Sequence, residues 1–265
     1  MLEIGISTSC LYPMETEKAA ELLGKKDVKV TEIFLNTISE LKPEFIELLK
    51  KITTMYGMRI SSIHPCTSFA EPYFLFGDYE RRFWDAMEFY QRYFEAAKTL
   101  GAKILVIHGD WNYGVLKEKE YFQRYEMLMR EGQKYGIWVA QENVNRHRSE
   151  DPYFLMRMKQ SFGDDFRMVF DIKQSVRAGY DPFIFLDLLG DNIVHVHVSD
   201  HTDAMDCLPP GVGQFDFSRF FRKMKANNYQ GDYIVELYRK NYQDVSDLVK
   251  AKMYLNQVLF YENLG

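Results

Sequence analysis

Residues 193–201 read IVHVHVSDH. Side chains alternate across an extended strand, so His195 and His197 share one face and Val194, Val196 and Val198 take the other. The polar residues Ser199, Asp200 and His201 follow at once. The segment is therefore a short aliphatic strand with chemistry gathered at its C-terminal end. Seven more segments have this build: LEIGIST (2–8), VTEIFLN (30–36), MRISSIH (58–64), KILVIH (103–108), IWVAQE (137–142), RMVFD (167–171) and YIVE (233–236). Longer amphipathic stretches separate them. In 79–101, Phe83, Met87, Tyr90, Phe94 and Ala97 recur at three and four residues, one apolar stripe of a helix. In KPEFIELLKKI the pattern places Phe45, Leu48, Leu49 and Ile52 on the buried side. Gly57, Gly101, Gly136 and Gly231 stand just before strands, where a left-handed residue would end a helix. Eight strand–helix units of roughly 30 residues predict one (β/α)8 TIM barrel, a single domain over 1–265. A doubly wound open sheet is the main alternative, but its glycine-rich first turn is missing from TSCLYPMET.

Composition agrees with a globular protein: 46% hydrophobic, 15% aromatic and 27% charged residues, with a formal net charge of -5. That balance disfavours a nucleic-acid partner. Cys10, Cys66 and Cys207 form no CxxC pair, so a reducing compartment and free thiols are expected. The N-terminal stretch lacks the build of a signal peptide, and no apolar run reaches membrane-spanning length. The expected location is the cytoplasm, with no membrane partner.

At the predicted strand ends stand His64, His108, Glu142, Asp171, His197 and Glu236. In a barrel these ends form the active-site face. Crowded carboxylates and imidazoles call for a cation. Glu142, Asp171, His197 and Glu236 offer three oxygen donors and one nitrogen, a set suited to Mn²⁺, Mg²⁺ or Co²⁺, with Zn²⁺ as an alternative. The plainer reading is that Glu142 or Asp171 caps the helix that follows. His195, one layer deeper than His197, reads as a hydrogen-bonded core histidine, and His201 as a loop residue.

These segments resemble the xylose isomerase-like barrel superfamily, which includes sugar isomerases and epimerases and the type IV apurinic endonucleases. The carriers are SSIHPCTSF (61–69), LVIHGD (105–110), AQENVNR (140–146), VFDIKQ (169–174), HVHVSDH with LPPGVGQFDF (208–217), and YIVELY (233–238). The resemblance implies that Glu142, Asp171, His197 and Glu236 hold one divalent metal ion. It implies that Glu142 and Glu236 are the catalytic pair, removing and returning a proton beside a carbonyl through a metal-stabilised enediolate. The implied substrate is a small carbohydrate: a sugar, a sugar phosphate or a related polyol ketone. His64, His108, Gln174, Trp111 and Asp200 are expected to contact it. A dimer or tetramer is common among such proteins.

Two departures matter. Ketose 3-epimerases of this kind carry histidine where Gln174 stands and arginine where Asp203 stands. The endonucleases also need that histidine and an aspartate–histidine pair before the GxG. Dehydration of an inosose-type ketone, or phosphodiester hydrolysis, is the alternative activity, and a second ion on His64, His108 and Glu142 the alternative metal arrangement. The segment 199–216 has four aspartates and no Lys or Arg, which weighs against a phosphate there. Lys173, Arg146, Arg148, Arg239 and Lys240 could supply charge from other loops. The aromatic segment 69–84 could close over the site as a lid, or pack on itself, and Phe69 is a further candidate to stack on a sugar.

Overall fold

A computed structural model describes residues 2–264. Eight parallel strands close a barrel in chain order, with β1 paired to β8. They are β1 Ile4–Ser7, β2 Val30–Phe34, β3 Arg59–His64, β4 Ile104–Ile107, β5 Trp138–Glu142, β6 Met168–Asp171, β7 Ile193–Val198 and β8 Tyr233–Val235. The helices between and after them are α1 Thr16–Lys25, α2 Pro43–Met55, α3 Glu71–Phe74, α4 Glu80–Leu100, α5 Glu118–Tyr135, α6 Pro152–Phe162, α7 Ile172–Arg177, α8 Pro182–Leu189, α9 Phe217–Ala226 and α10 Val245–Leu264. The predicted barrel is thus observed. Among the described residues no helix is long and apolar enough to cross a membrane.

The core has two parts. The larger lies between strands and helices and is dense in aromatics such as Tyr90, Phe94, Tyr125, Phe170 and Phe220, all fully buried. Each such side chain contributes roughly 1.5–3 kcal/mol of transfer free energy. The smaller part fills the barrel's interior from β4, β5 and β6: Ile104, Val106, Ala140 and Val169. Opposite these residues the interior is polar. Glu32 on β2 reaches His195 and His197 on β7. Those strands are not neighbours, so the contacts cross the barrel.

The α4 stripe is buried as predicted. In α2, Leu49 is buried as predicted and Phe45 and Ile52 are half-buried, whereas Leu48 is exposed and Ile46 and Thr53 are buried instead. Phe45, Leu48 and Ile52 have helical spacing, as do Ile46, Leu49 and Thr53, and α2 packs against α1 and α4 through the second set. Gly57, Gly101 and Gly136 take positive φ before their strands. Gly231 does not. A Cβ there would come within 2.4 Å of Val194 O. The left-handed residue after α9 is Asn228, at φ 55°. The segment 69–84 is less loop than expected. A 3-10 turn (Ser68–Ala70) leads into α3, whose Glu71 is buried and accepts from Gly109 N at 2.6 Å and from the Tyr90 hydroxyl at 3.1 Å.

Candidate active site

The strand ends meet around one cavity of about 370 Å³, walled by His64, His108, Glu142, Lys173, Gln174 and Glu236. Ser9, Tyr12, Phe34, Asn36, Leu237 and Tyr238 complete the wall. Phe34 stacks on His64 with centroids 4.3 Å apart, and Arg177 donates to the Tyr238 hydroxyl at 2.7 Å. The wall therefore has an apolar side and an ionisable side.

His197 is the hub beneath it. Its register partner on β6 is Asp171. Its Nε2 lies 3.0 Å from Glu32 Oε2, and its Nδ1 lies 3.0 Å from Glu142 Oε1, 3.4 Å from Glu236 Oε2 and 3.6 Å from Asp171 Oδ2. Burial opposes charge on this imidazole, but Glu32, Glu236 and Glu142 outweigh it and hold the imidazolium well above the usual range. Burial likewise works against the carboxylates. The charge of His197, joined by His195 at Glu32 and by His108 at Glu142, nevertheless holds both well below the carboxylate range. Glu236 is lowered against its burial by Lys173 and His197, whereas burial wins at Asp171 and raises it despite Lys173.

The expected metal ligands Glu142, Asp171, His197 and Glu236 do converge, with donor atoms all within 4.8 Å of one another. Two observations bear on whether a cation fits. Glu32 holds His197 by Nε2, so the ring presents Nδ1 to the carboxylates, the arrangement that orients a ligating histidine. Glu142 Oε2 is buried and has no aligned hydrogen bond, although His108 Nε2 is 3.0 Å away. By donor type and convergence, the four residues fit a divalent ion. His64, His108 and Glu142 also converge as a second trio, with the two histidine Nε2 atoms 3.0 Å apart.

Asp171 has both roles weighed for it. Oδ1 caps α7 through Gln174 N at 3.1 Å, while Oδ2 faces His197 and Lys173. Asn143 fixes it by accepting from its N–H at 2.7 Å and donating to its carbonyl at 2.9 Å.

Two residues expected to contact substrate lie outside the cavity wall. Asp200 is buried away from the cavity and accepts from the backbone N–H of His201, Gly211, Gly213 and Phe215. It organises the loop 199–216, as a short acid among unpaired N–H groups will. Trp111 lies outside the cavity wall, paired edge-on with Tyr73 and stacked on Tyr113. Phe69 is 77% exposed and also lies outside it. His64, His108 and Gln174 do line the cavity, and Gln174 Oε1 accepts from Asn145 N at 3.2 Å.

Sequence reasoning missed Glu32 and misjudged Lys173. Glu32 interrupts the apolar run VTEIF, and that interruption was the available signal. Lys173, weighed only as a loop charge, is 4% exposed and its Nζ contacts both Asp171 Oδ2 and Glu236 Oε2. Burial disfavours its charge, yet Asp171 and Glu236 hold the ammonium well above the usual lysine range. Among the described residues, it is the one Lys or Arg in the cavity wall. Arg148 is committed to Asp110, and Arg239 to the carbonyls of Tyr242 and Gln243.

The family model for the xylose isomerase-like TIM barrel matches residues 18–257. A solved structure described as a D-tagatose 3-epimerase-like protein superposes with a TM-score of 0.83 at 22% identity, covering 99% of this chain and 98% of that one. The 3-keto-D-glucoside 4-epimerase YcjR from E. coli gives 0.77 at 18% identity, covering 97% and 100%. An inosose dehydratase of Mesomycoplasma hyopneumoniae is 27% identical over 199 residues, 62% of this chain and 65% of the relative.

Proposed function

Because the chain belongs to the xylose isomerase-like TIM barrel family, we propose that it is an isomerase or epimerase of a small carbohydrate or related polyol ketone. The observation that carries this reading is the pair Glu142 and Glu236. They come from the ends of β5 and β8 and line one cavity, and both are held ionised by neighbouring cations. Each has one oxygen tied into the charged network: Oε1 of Glu142 to His197, Oε2 of Glu236 to Lys173. The second oxygen is less committed. Glu142 Oε2 has no aligned partner, and Glu236 Oε1 accepts from Ser9 Oγ at 3.3 Å.

In this reading one glutamate takes the proton from the carbon beside the substrate's carbonyl, and the electron pair moves onto the carbonyl oxygen. The other, once it has taken up a proton from water, delivers it to the same carbon from the opposite face, giving an epimer, or the first glutamate hands the abstracted proton to the neighbouring carbon, giving an isomer. A divalent ion on Glu142, Asp171, His197 and Glu236 would supply Lewis-acid polarisation of the substrate's oxygens. His64, His108 and Gln174 are placed to hydrogen-bond hydroxyls, and Phe34, Tyr12 and Leu237 give the apolar side on which a sugar's C–H face can rest. Lys173, the one Lys or Arg among the described residues of the wall, is already matched by two carboxylates, which favours an unphosphorylated substrate.

The descriptions of the similar structures as sugar epimerases support a carbohydrate substrate. The similarity to an inosose dehydratase favours a second reading, in which the same proton abstraction is followed by loss of a β-hydroxyl as water. One experiment separates them. The protein is incubated in D2O with a panel of ketoses and inososes. Deuterium beside the carbonyl with an epimeric product is expected, whereas an unsaturated or deoxy product marks the dehydratase. Glu142→Gln and Glu236→Gln should each keep the fold and lower epimer formation by about 100-fold or more. Full epimer formation in either variant refutes the two-glutamate mechanism.

A further inference from the structure

The four-donor cluster has a fifth member that its ligand chemistry does not explain. Lys173 is the second residue of α7, two residues after Asp171, and its side chain turns back over the mouth. A cation in the first turn of a helix faces the unfavourable end of the peptide dipoles. Burying an ammonium is costly unless it is paired. The pairing is supplied by Asp171 Oδ2 and Glu236 Oε2. These are the same two oxygens that lie 3.6 and 3.4 Å from His197 Nδ1. The Nζ therefore occupies two of the four donors, Asp171 and Glu236, on the oxygens that face His197. An ion bound to those atoms and an ammonium bound to two of them cannot share the position. The two are cations of one site, and repulsion at such a separation adds to the steric conflict.

We propose that Lys173 is a built-in cation that competes with divalent metal for Asp171 and Glu236, so that metal binding to those two carboxylates requires displacement of the ammonium. The inference stands on the geometry of the mouth and not on which carbohydrate is turned over, so its test uses no substrate.

The test is metal uptake by the full chain after chelator treatment, with Co²⁺ as the probe, read by visible absorption and calorimetry. Lys173→Met removes the competitor and leaves all four donors. It should bind one Co²⁺ per chain roughly 100-fold more tightly than wild type. Lys173→Arg keeps the charge and should stay as weak as wild type. Adding Asp171→Asn to Lys173→Met should abolish the gain. Equal affinity in wild type and Lys173→Met, whether tight or weak, overturns the proposal, as does a gain in Lys173→Arg equal to that in Lys173→Met. Should Lys173→Met not fold, wild type alone decides. Saturating Co²⁺ should expel the side chain and raise labelling of Lys173 by an amine reagent, read by mass spectrometry. Tight stoichiometric Co²⁺ with Lys173 still protected refutes displacement.

Discussion

Replacing Glu32 by alanine removes the group on which the floor of the site rests. The carboxylate is completely buried and accepts from four donors: Ser7 Oγ at 3.1 Å, Ser62 Oγ at 2.7 Å, His195 Nε2 at 3.2 Å and His197 Nε2 at 3.0 Å. Three of these have a second partner close by. Ser7 Oγ is 2.9 Å from Ser9 Oγ, Ser62 Oγ is 3.3 Å from Ser61 Oγ, and His195 Nε2 is 3.0 Å from Ser62 Oγ. His197 Nε2 has none. Breaking a buried charge pair on one side costs about 3–5 kcal/mol, and the orphaned N–H falls within that range. Glu32→Ala is therefore expected to destabilise by about 4 kcal/mol. At about 2–4 °C per kcal/mol for a domain of this size, Tm should fall by roughly 10 °C. Glu32→Gln fills the space and keeps one acceptor, so it should lose about half as much. Either change frees the His197 ring and should weaken metal binding or turnover by about 10–100-fold. The assay is thermal unfolding by circular dichroism beside Co²⁺ titration. A Glu32→Ala protein melting within about 2 °C of wild type would show that the polar half of the barrel is not held by this residue.

Other outcomes are expected. Burial pushes Glu71 well above the carboxylate range, only partly offset by bonds from Gly109 N–H and the Tyr90 hydroxyl. Above the ordinary carboxylate value the unfolded chain is ionised there while the folded chain keeps its proton. Stability should therefore fall as pH rises through that window, by up to about 1.4 kcal/mol per pH unit, and Glu71→Gln should flatten the slope in urea titrations at several pH values. An unchanged slope would assign the pH dependence to other groups. Asp200→Ala leaves four backbone N–H groups unpaired, so proteases should cut the loop 199–216 faster while far-ultraviolet dichroism is kept; unchanged cleavage would contradict its role. Asn143→Ala removes the two bonds Asn143 makes to the Asp171 backbone and should lower stability by about 2 kcal/mol and loosen Co²⁺ held by a Lys173→Met background, which calorimetry measures.

Strand ends were legible because a barrel buries its strands on both faces. His, Asp or Glu at the end of an aliphatic run is then conspicuous, and six such ends face one mouth here. Glu32 escaped because it lies inside its strand, where alternation alone allows a solvent-facing carboxylate. Only closure of the barrel turns that face inward onto β7. Lys173 escaped for a different reason. A lysine after a strand reads as solvated, and its burial depends on two carboxylates, one of them 63 residues further along the chain. Asp200 was misplaced because the HxHxxD spacing puts it beside the mouth, while its oxygens serve the returning glycine loop. The α2 stripe was right at Leu49 and wrong at Leu48, since Phe45, Leu48 and Ile52 on one side of it and Ile46, Leu49 and Thr53 on the other are both at helical spacing. The contacts with α1 and α4 decide between them.

The double use of Asp171 has a consequence for timing. One of its oxygens fixes the first turn of α7, and the other holds the ammonium that grows from that turn. A single residue thus sets both where Lys173 begins and where it ends. If the ammonium lets go, its Cα stays anchored, and return requires only rotation about side-chain bonds. Such rotations take nanoseconds or less where there is room. The swap of one cation for another would then run at the pace of an ion shedding its water, with no loop or helix having to move first.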